Sequence, residues 1–402
     1  MRVVGLLSGT SIDGIDVAVA ELRADGDRVE LSALGHLELP YPDGLRDRLL
    51  AALPPNPSSA GELTRLDTEA GQAFGEAAAA GICRFGQADL VVSLGQTVYH
   101  WVEDGRALGT LQLGQPAWIA ERTGLPVVAD LRTRDVAAGG HGAPLASTLD
   151  HLWLRDLALE TGRPAAALNI GGIANLTVVF PDAPTLAYDT GPGNALLDLA
   201  AFQVTGTAHR DTDGALATAG TPRKDLLDRL LDDGFYAAPP PKSTGKEHFH
   251  GDYLAAATAG LPPIGGPDLL ATLTELTAVT IAAECARHGV GTVIASGGGV
   301  RNPALWRALT EHLTVPLRTS DELGLPGDVK EAYLTALLGW LTWHGHPANV
   351  PSATGAAGPR VLGSITPGSG PLTLPPPLPE PVTRLRVAAG VDDTIGITNA
   401  RT

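Results

Sequence analysis

Residues 168–198 read LNIGGIANLTVVFPDAPTLAYDTGPGNALLD, and the fold turns on how they are read. Two apolar runs, 165–170 and 176–180, flank the segment 171–175, so the stretch begins as strand, glycine turn, strand. Gly171, Gly172 and Asn175 allow backbone N–H groups to approach an anion with no Cβ in the way. A third apolar run, 186–188, delivers Asp189 at a strand end. Thr190, Gly191, Pro192, Gly193 and Asn194 follow, and then a helix that buries Leu196, Leu197 and Leu199. A carboxylate beside an anion-cradling turn suits a general base. The same residue would serve equally as a plain turn or helix cap.

The N-terminus repeats this plan. Residues 3–7 form a buried strand, 8–14 (SGTSIDG) a polar glycine turn, 15–22 a returning strand and 29–37 a third. Two such units predict two similar lobes, each presenting a glycine hairpin to a shared cleft. Between them, helices are expected at 45–53, 62–80 and 116–122, and strands at 90–93, 108–113 and 126–129. LGQTVYH (94–100) should leave the end of the 90–93 strand, and DLRTRDVAAGGHGAP (130–144) the end of the 126–129 strand. Open α/β sheets bind ligands beyond the carboxyl ends of their strands, so Arg132 and Arg134 are placed to meet a carboxylate or phosphate. Later, 292–295 runs into SGGGVRN (296–302), where three glycines between strand and helix permit close approach to a flat or charged ligand. Glu331 falls in the first turn of a helix at 329–343. The expected division is 1–130, completed by 345–367, as a first lobe; 131–344 as a second; and 368–402 as a proline-rich peripheral tail that cannot pair regularly.

Composition narrows the function. A chain of 402 residues accommodates two domains with sizeable cores. A formal net charge of −16 argues against nucleic acid as a partner. Cys83 and Cys285 make no metal pattern, and buried free thiols in a reducing compartment are expected. His248 and His250 lack a convincing set of metal partners, so no protein metal site is assigned. No secretory leader and no uninterrupted apolar span long enough for a membrane is read from the sequence, which points to the cytoplasm. No GxxxxGK[ST] motif occurs and no Rossmann fingerprint follows an early strand. Two facing hairpins can instead enclose a triphosphate, with the third glycine turn seating an adenosine; that is the layout of a phosphotransferase or ATPase needing Mg²⁺ and a base.

With those motifs in place, the chain resembles the anhydro-N-acetylmuramic acid kinase family of the sugar kinase, Hsp70 and actin superfamily. The matching runs are GLLSGTSIDGIDVAVAEL, LGQTVYH, TLQLGQPAWIAERTGLPVVADLRTRDVAAGGHGAPL, LNIGGIANLT, DTGPGNALLD, PPKSTGKEHF, SGGGVRNPAL, DVKEAYLTALL and PANVPSATGA, in family order across residues 3–367. The resemblance implies a two-lobed actin-like ATPase fold, each lobe a mixed β-sheet flanked by helices, with a central active-site cleft. It places the nucleotide on Gly9, Thr10, Ser11, Ile12, Asp13, Gly14, Ile15 and Asp16; with the residue readings above, Gly171, Gly172, Asn175, Gly297, Gly298, Gly299 and Asn302 complete the ATP side. It makes Asp189 catalytic and sets Gln96, Thr97, His100, Arg132 and Asp135 toward the sugar, where Glu331 also points in this reading. The implied reaction converts 1,6-anhydro-N-acetylmuramic acid, ATP and water to N-acetylmuramic acid 6-phosphate and ADP in cell-wall recycling, by a homodimer. Two residues depart from the family pattern: Leu94 where histidine is usual, and Lys246 where arginine is usual. Leu94 leaves room for a kinase of the same superfamily acting on another sugar or a carboxylic acid; a non-catalytic actin- or chaperone-like ATPase is the other alternative.

Overall fold

A computed structural model describes residues 1–388. Among these the strands are, in chain order, β1 (Arg2–Ser8), β2 (Ile15–Asp25), β3 (Arg28–Leu39), β4 (Leu90–Glu103), β5 (Arg106–Leu113), β6 (Val127–Ala129), β7 (Ala165–Ile170), β8 (Ile173–Val179), β9 (Leu186–Pro192), β10 (Thr292–Ser296), β11 (Leu317–Thr319), β12 (Ser364–Thr366) and β13 (Arg384–Val387). The chain divides into two compact units, one formed by 1–153 with 323 onward, the other by 154–322.

The sheet of the first unit runs β12-β6-β4-β1-β2-β3-β13, with β5 paired to β4. β2 pairs antiparallel with β1 and β3 antiparallel with β2, while β4 and then β6 add in parallel on the other side of β1. Period-two alternation assigns the two faces. Val4, Leu6, Val17, Val19 and Val91 point into a core shared with residues of the helix Ala60–Phe85, such as Leu66, Ala70, Phe74 and Ala77. On the other face lies the helix Lys330–Trp343, and its approach requires glycine twice. A Cβ on Gly5 would collide with the Ala332 carbonyl, and one on Gly339 would enter the Val92 side chain.

The second unit holds a five-stranded sheet in the order β11-β10-β7-β8-β9. Again the first three strands, β7, β8 and β9, form an antiparallel meander, and β10 and β11 add in parallel beside β7. The β3-β2-β1-β4-β6 path and the β9-β8-β7-β10-β11 path share one topology, as the repeated hairpin predicts. The helix Gly266–Arg287 supplies Ala278, Ile281 and Cys285 to the core under this sheet.

Several expectations are corrected. The division does not fall at 130/131 and 344/345. The 130–144 loop is bonded to residues 349 and 354, and the helix Lys330–Trp343 packs on β1, so both belong to the first unit. The tail is more than peripheral, since β13 pairs in parallel with β3 beyond the proline run; residues 389–402 of that call lie outside the described residues. LGQTVYH does not leave a strand end but continues β4, which pairs antiparallel with β5. Asp189 lies inside β9, which runs on to Pro192. Cys83 is exposed, and only Cys285 is buried. The helix Gly266–Arg287 is long and apolar enough by length and composition to cross a membrane, but Glu275 and Glu284 interrupt it and most of its apolar stretch is buried in the second unit.

Candidate active site

In the first unit β1 stops at Ser8 and the chain turns before β2. Ile12 sits in the left-handed region at φ 51°, with its side chain fully buried. Such a conformation costs a β-branched residue about 1–3 kcal/mol and is held by its surroundings. Here the Ile12 N–H donates to the Gly9 carbonyl (3.2 Å) and Arg46 Nε donates to the Ile12 carbonyl (2.7 Å). Anchored in this way, the turn leaves Thr10, Ser11 and Asp13 exposed, while Ile12, Gly14 and Ile15 face the interior. Of the eight residues expected to hold the nucleotide, those three buried ones can act only by shaping the turn. The Asp16 carboxyl is pushed up to about 7, by burial first and then by the charges of Glu38, Asp13, Glu331 and Asp328.

Gln96 is fully buried. It donates from Nε2 to the Gly9 carbonyl (3.2 Å) and accepts from Tyr41 Oη (3.1 Å), so it braces the hairpin rather than reaching a ligand. Thr97 accepts from Gln112 Nε2 (3.3 Å). His100 is exposed on β4 with Nδ1 against Thr110 Oγ1 (2.9 Å), and its pKa is lowered by partial desolvation and then by the Arg132 charge. Arg132 turns inward and donates from Nη1 to the Gly142 carbonyl (2.7 Å), whereas Arg134 is exposed. The Arg132 Nε is buried without a protein acceptor. A buried donor left unpaired costs about 1–3 kcal/mol, which an anionic ligand would recover. Burial lowers the Arg132 pKa, and the nearby Glu331 carboxylate opposes that shift.

Asp135 has no exposed surface. Its Oδ2 accepts from the Gly142 N–H (2.8 Å), and its Oδ1 from Asn349 Nδ2 and Thr354 Oγ1 (2.7 Å each). It therefore fixes the loop that carries Arg132 and is not itself placed to touch a sugar. In the helix Lys330–Trp343, Lys330 turns inward to a buried ion pair with Asp150 (2.6 Å), leaving Glu331 exposed at the first turn. Leu94 is 6% exposed, so the departure from histidine lies inside the protein.

In the second unit the register of β8 against β9 slips between Ala174 and Asn175: Asn175 faces Asp189, but Ala174 faces Gly191. The extra residue, Thr190, is buried and donates to the Ala174 carbonyl (3.1 Å). Such a bulge re-aims the neighbouring side chain. Asp189 Oδ2 accepts from the Thr244 N–H (2.9 Å) and from Ser243 Oγ (3.2 Å), while its own N–H donates to the Lys242 carbonyl (3.0 Å). Both hydrogen bonds fall on one oxygen, leaving Oδ1 available as a proton acceptor. The Asp189 pKa is raised, chiefly by burial; Thr244 and Ser243 pull it back, and Glu247 adds to the rise.

The glycine hairpin is held from behind. The carbonyls of Gly171 and Gly172 accept N–H bonds from Asn194, Gly193 and Ala195 at the start of the helix Ala195–Thr205. Gly297 packs so closely on Asn169 and Ile170 that a Cβ would overlap them, which brings the third glycine turn against the hairpin strand, with Gly298 near Asn194. Asn302 is spent as a helix cap, accepting from the Ala304 and Leu305 N–H groups (3.0 and 3.2 Å). The Lys246 stem lies over Gly172. Lys246 and Arg210 oppose the rise that burial imposes on the Asp198 carboxyl. Sequence reasoning did not assign Lys242, Ser243, Thr244, Lys246 or Asp198 to the site. The run PPPKSTGKEHFH, rich in hydroxyls and cations behind prolines, was the available signal.

The family model for anhydro-N-acetylmuramic acid kinase matches residues 1–368. The chain is 55% identical over 394 residues to the anhydro-N-acetylmuramic acid kinase of Streptomyces coelicolor, covering 97% of this chain and all of that one. It is 50% identical to that of Rhodococcus erythropolis, covering 92% and 95%. Among solved structures it is similar to the xylulose kinase of Rhodospirillum rubrum, at 14% identity and a TM-score of 0.44 over 85% of this chain and 90% of that one. By the family model and by these identities over nearly full length, the chain belongs to the anhydro-N-acetylmuramic acid kinase family.

Proposed function

We propose that this protein is the ATP-dependent kinase that opens 1,6-anhydro-N-acetylmuramic acid with water and phosphorylates O6, giving N-acetylmuramic acid 6-phosphate and ADP in peptidoglycan recycling. The observation that carries the chemistry is Asp189, a carboxylate of raised pKa with one oxygen fixed by two donors and the other free. Asp189 takes a proton from a water as that water bonds to C1. The C1–O6 bond breaks, O6 leaves with its electron pair and bonds to the γ-phosphorus, and ADP departs. The proton is then released to solvent. The anhydro sugar has no free 6-hydroxyl, so a base acting on a sugar hydroxyl would not suffice, and the bicyclic strain assists the opening.

The ATP phosphates are assigned to the Gly9–Asp13 turn and the Gly171–Gly172 hairpin, through backbone donors and the exposed Thr10 and Ser11 hydroxyls. Lys246 would add its charge beside Gly172. The third glycine turn is assigned to the adenosine. Arg132, with its buried unpaired Nε, is assigned to the lactyl carboxylate, and His100, Thr97 and Glu331 to the sugar's polar groups.

Mg²⁺ bound with ATP would neutralise phosphate charge. It usually keeps waters and takes only one or two protein carboxylates, and the exposed Asp13 beside Asp16 fits that demand. Among the described residues no group of three or more His, Cys, Asp or Glu side chains is arranged to hold a metal. A cytoplasmic homodimer is the compartment and assembly proposed with this activity, and light scattering of the purified protein tests the latter.

The deciding experiment is mass analysis of products after incubation with ATP, Mg²⁺ and the anhydro sugar in ¹⁸O-water. The expected product is a sugar phosphate carrying ¹⁸O at the anomeric carbon and none in its phosphoryl group. Inorganic phosphate bearing ¹⁸O, with no sugar phosphate, would mark a plain ATPase and overturn the proposal.

A further inference from the structure

Asp189 is held by a segment that belongs to no helix or strand. Lys242 supplies the carbonyl for its N–H, and the next two residues supply both donors to Oδ2. What holds that segment is a buried ion pair. Lys242 Nζ meets Glu284 Oε1 at 2.8 Å, with each side chain only 5% exposed. The same ammonium donates to the carbonyls of Phe235 (3.1 Å) and Tyr236 (3.2 Å) and lies 4.7 Å from the Phe235 ring centroid. Glu284 stands on the helix Gly266–Arg287, and its Oε2 accepts from Tyr188 Oη (3.1 Å) and from Arg287 Nε (3.0 Å). Tyr188 precedes Asp189 on β9, so the one carboxylate ties the loop and the strand together behind the proposed base.

A buried pair is a poor source of stability, since desolvation offsets most of the attraction, but its geometry is specific. We infer that Lys242 and Glu284 are positioning residues for the proposed base, holding the Lys242–Thr244 segment so that both donors fall on Oδ2 and Oδ1 stays free. This rests on Asp189 being the base of the proposed reaction. The charged and titratable groups facing Asp189 and the pair are Glu247 from the same loop, Tyr188 from β9, and Glu284, Cys285, Arg287 and His288 from the end of the helix.

The test uses Glu284→Gln, the doubly neutral Lys242→Met/Glu284→Gln, which leaves no unpaired buried charge, and Ser243→Ala, whose side chain is exposed. Amide exchange across 239–247, carboxyl ¹³C titration of Asp189 (assigned by its loss in Asp189→Asn), and kcat and KM against pH are measured on the intact protein. Ser243→Ala should move the Asp189 titration and the acid limb of kcat to higher pH. Each pair variant should speed exchange of the segment, change the Asp189 titration, and lower kcat roughly tenfold, the worth of one hydrogen bond to a charged group, with KM for ATP unchanged. Faster exchange with wild-type titration and kcat would mean that the pair merely supports the fold, and would overturn the inference. So would unchanged exchange in the folded double variant. If the wild type makes no sugar phosphate, the proposed reaction fails, and the titration alone still decides whether the pair positions this carboxylate.

Discussion

Asp189→Asn isolates proton acceptance from binding. In the wild type Oδ2 takes the Thr244 N–H and the Ser243 hydroxyl, and Oδ1 takes nothing from the described residues. Asparagine has the same shape, and its amide oxygen can accept both donors while its NH₂ occupies the Oδ1 position. The pocket is kept and only the basic lone pair is lost. General acid–base catalysis contributes about 10²–10⁴-fold, so kcat should fall by that factor, roughly 3–5 kcal/mol of barrier. ADP release is followed with ATP and anhydro sugar both saturating. Stability should move the other way. The folded pKa of Asp189 is raised, so its favourable contribution is complete below the unfolded carboxylate value and is lost as pH rises through the folded value. Asparagine removes that loss, so the variant should melt no lower than wild type near neutral pH, and its relative gain should vanish at low pH. A kcat within about threefold of wild type would refute the assignment, and Glu331→Gln would be examined next.

Arg132→Ala should raise KM for the sugar roughly tenfold or more, the worth of a charge-assisted bond, with KM for ATP nearly unchanged; Arg134→Ala, at an exposed position, is the control, and equal effects on both substrates would remove Arg132 from the role. Leu94→His puts a polar ring at a buried site, so thermal melting should fall by several degrees, and an unchanged melting temperature would show that the position opens to solvent. Gly5→Ala should lower stability by about 1–3 kcal/mol in denaturant titration, because the new methyl meets the Ala332 carbonyl. Asp16, held up to about 7, favours the folded state fully below the ordinary carboxylate value of 3.8 and loses that contribution as pH rises through 7. Asp16→Asn should therefore melt higher than wild type at pH 8 and equally at pH 3.

Strand positions and the repeated plan were legible because they rest on local signals. Apolar runs bounded by glycine turns mark β1–β2–β3 and β7–β8–β9, and the residue types of the turns point to anions. What the sequence concealed depends on long-range pairing. Gln96 and Asp135 look like ligands by type, yet the first is consumed by Gly9 and Tyr41, and the second by Gly142, Asn349 and Thr354. Asn302 resembles a ligand of the glycine turn but caps the helix Pro303–His312. Conversely, Lys242, Ser243 and Thr244 lie far from Asp189 in the chain, and only folding brings their carbonyl, hydroxyl and amide to it. The unit boundary is hidden for the same reason, since no local pattern announces that residues 330–343 cover β1.

Because the second unit is inserted into the first, the order of synthesis differs from the order of completion. The strands β1–β4 emerge early, but the face that bears Gly5 and Val92 has no cover until residues 330–343 leave the ribosome. The inserted residues 154–322 carry their own sheet and cores and can close while the N-terminal sheet is still half-dressed. A chain arrested at residue 322 should thus hold a protease-resistant inserted unit beside a sticky, chaperone-dependent N-terminal one. Limited proteolysis of arrested chains should yield a fragment near 154–322, whereas chains extended past residue 343 should resist cleavage throughout both units.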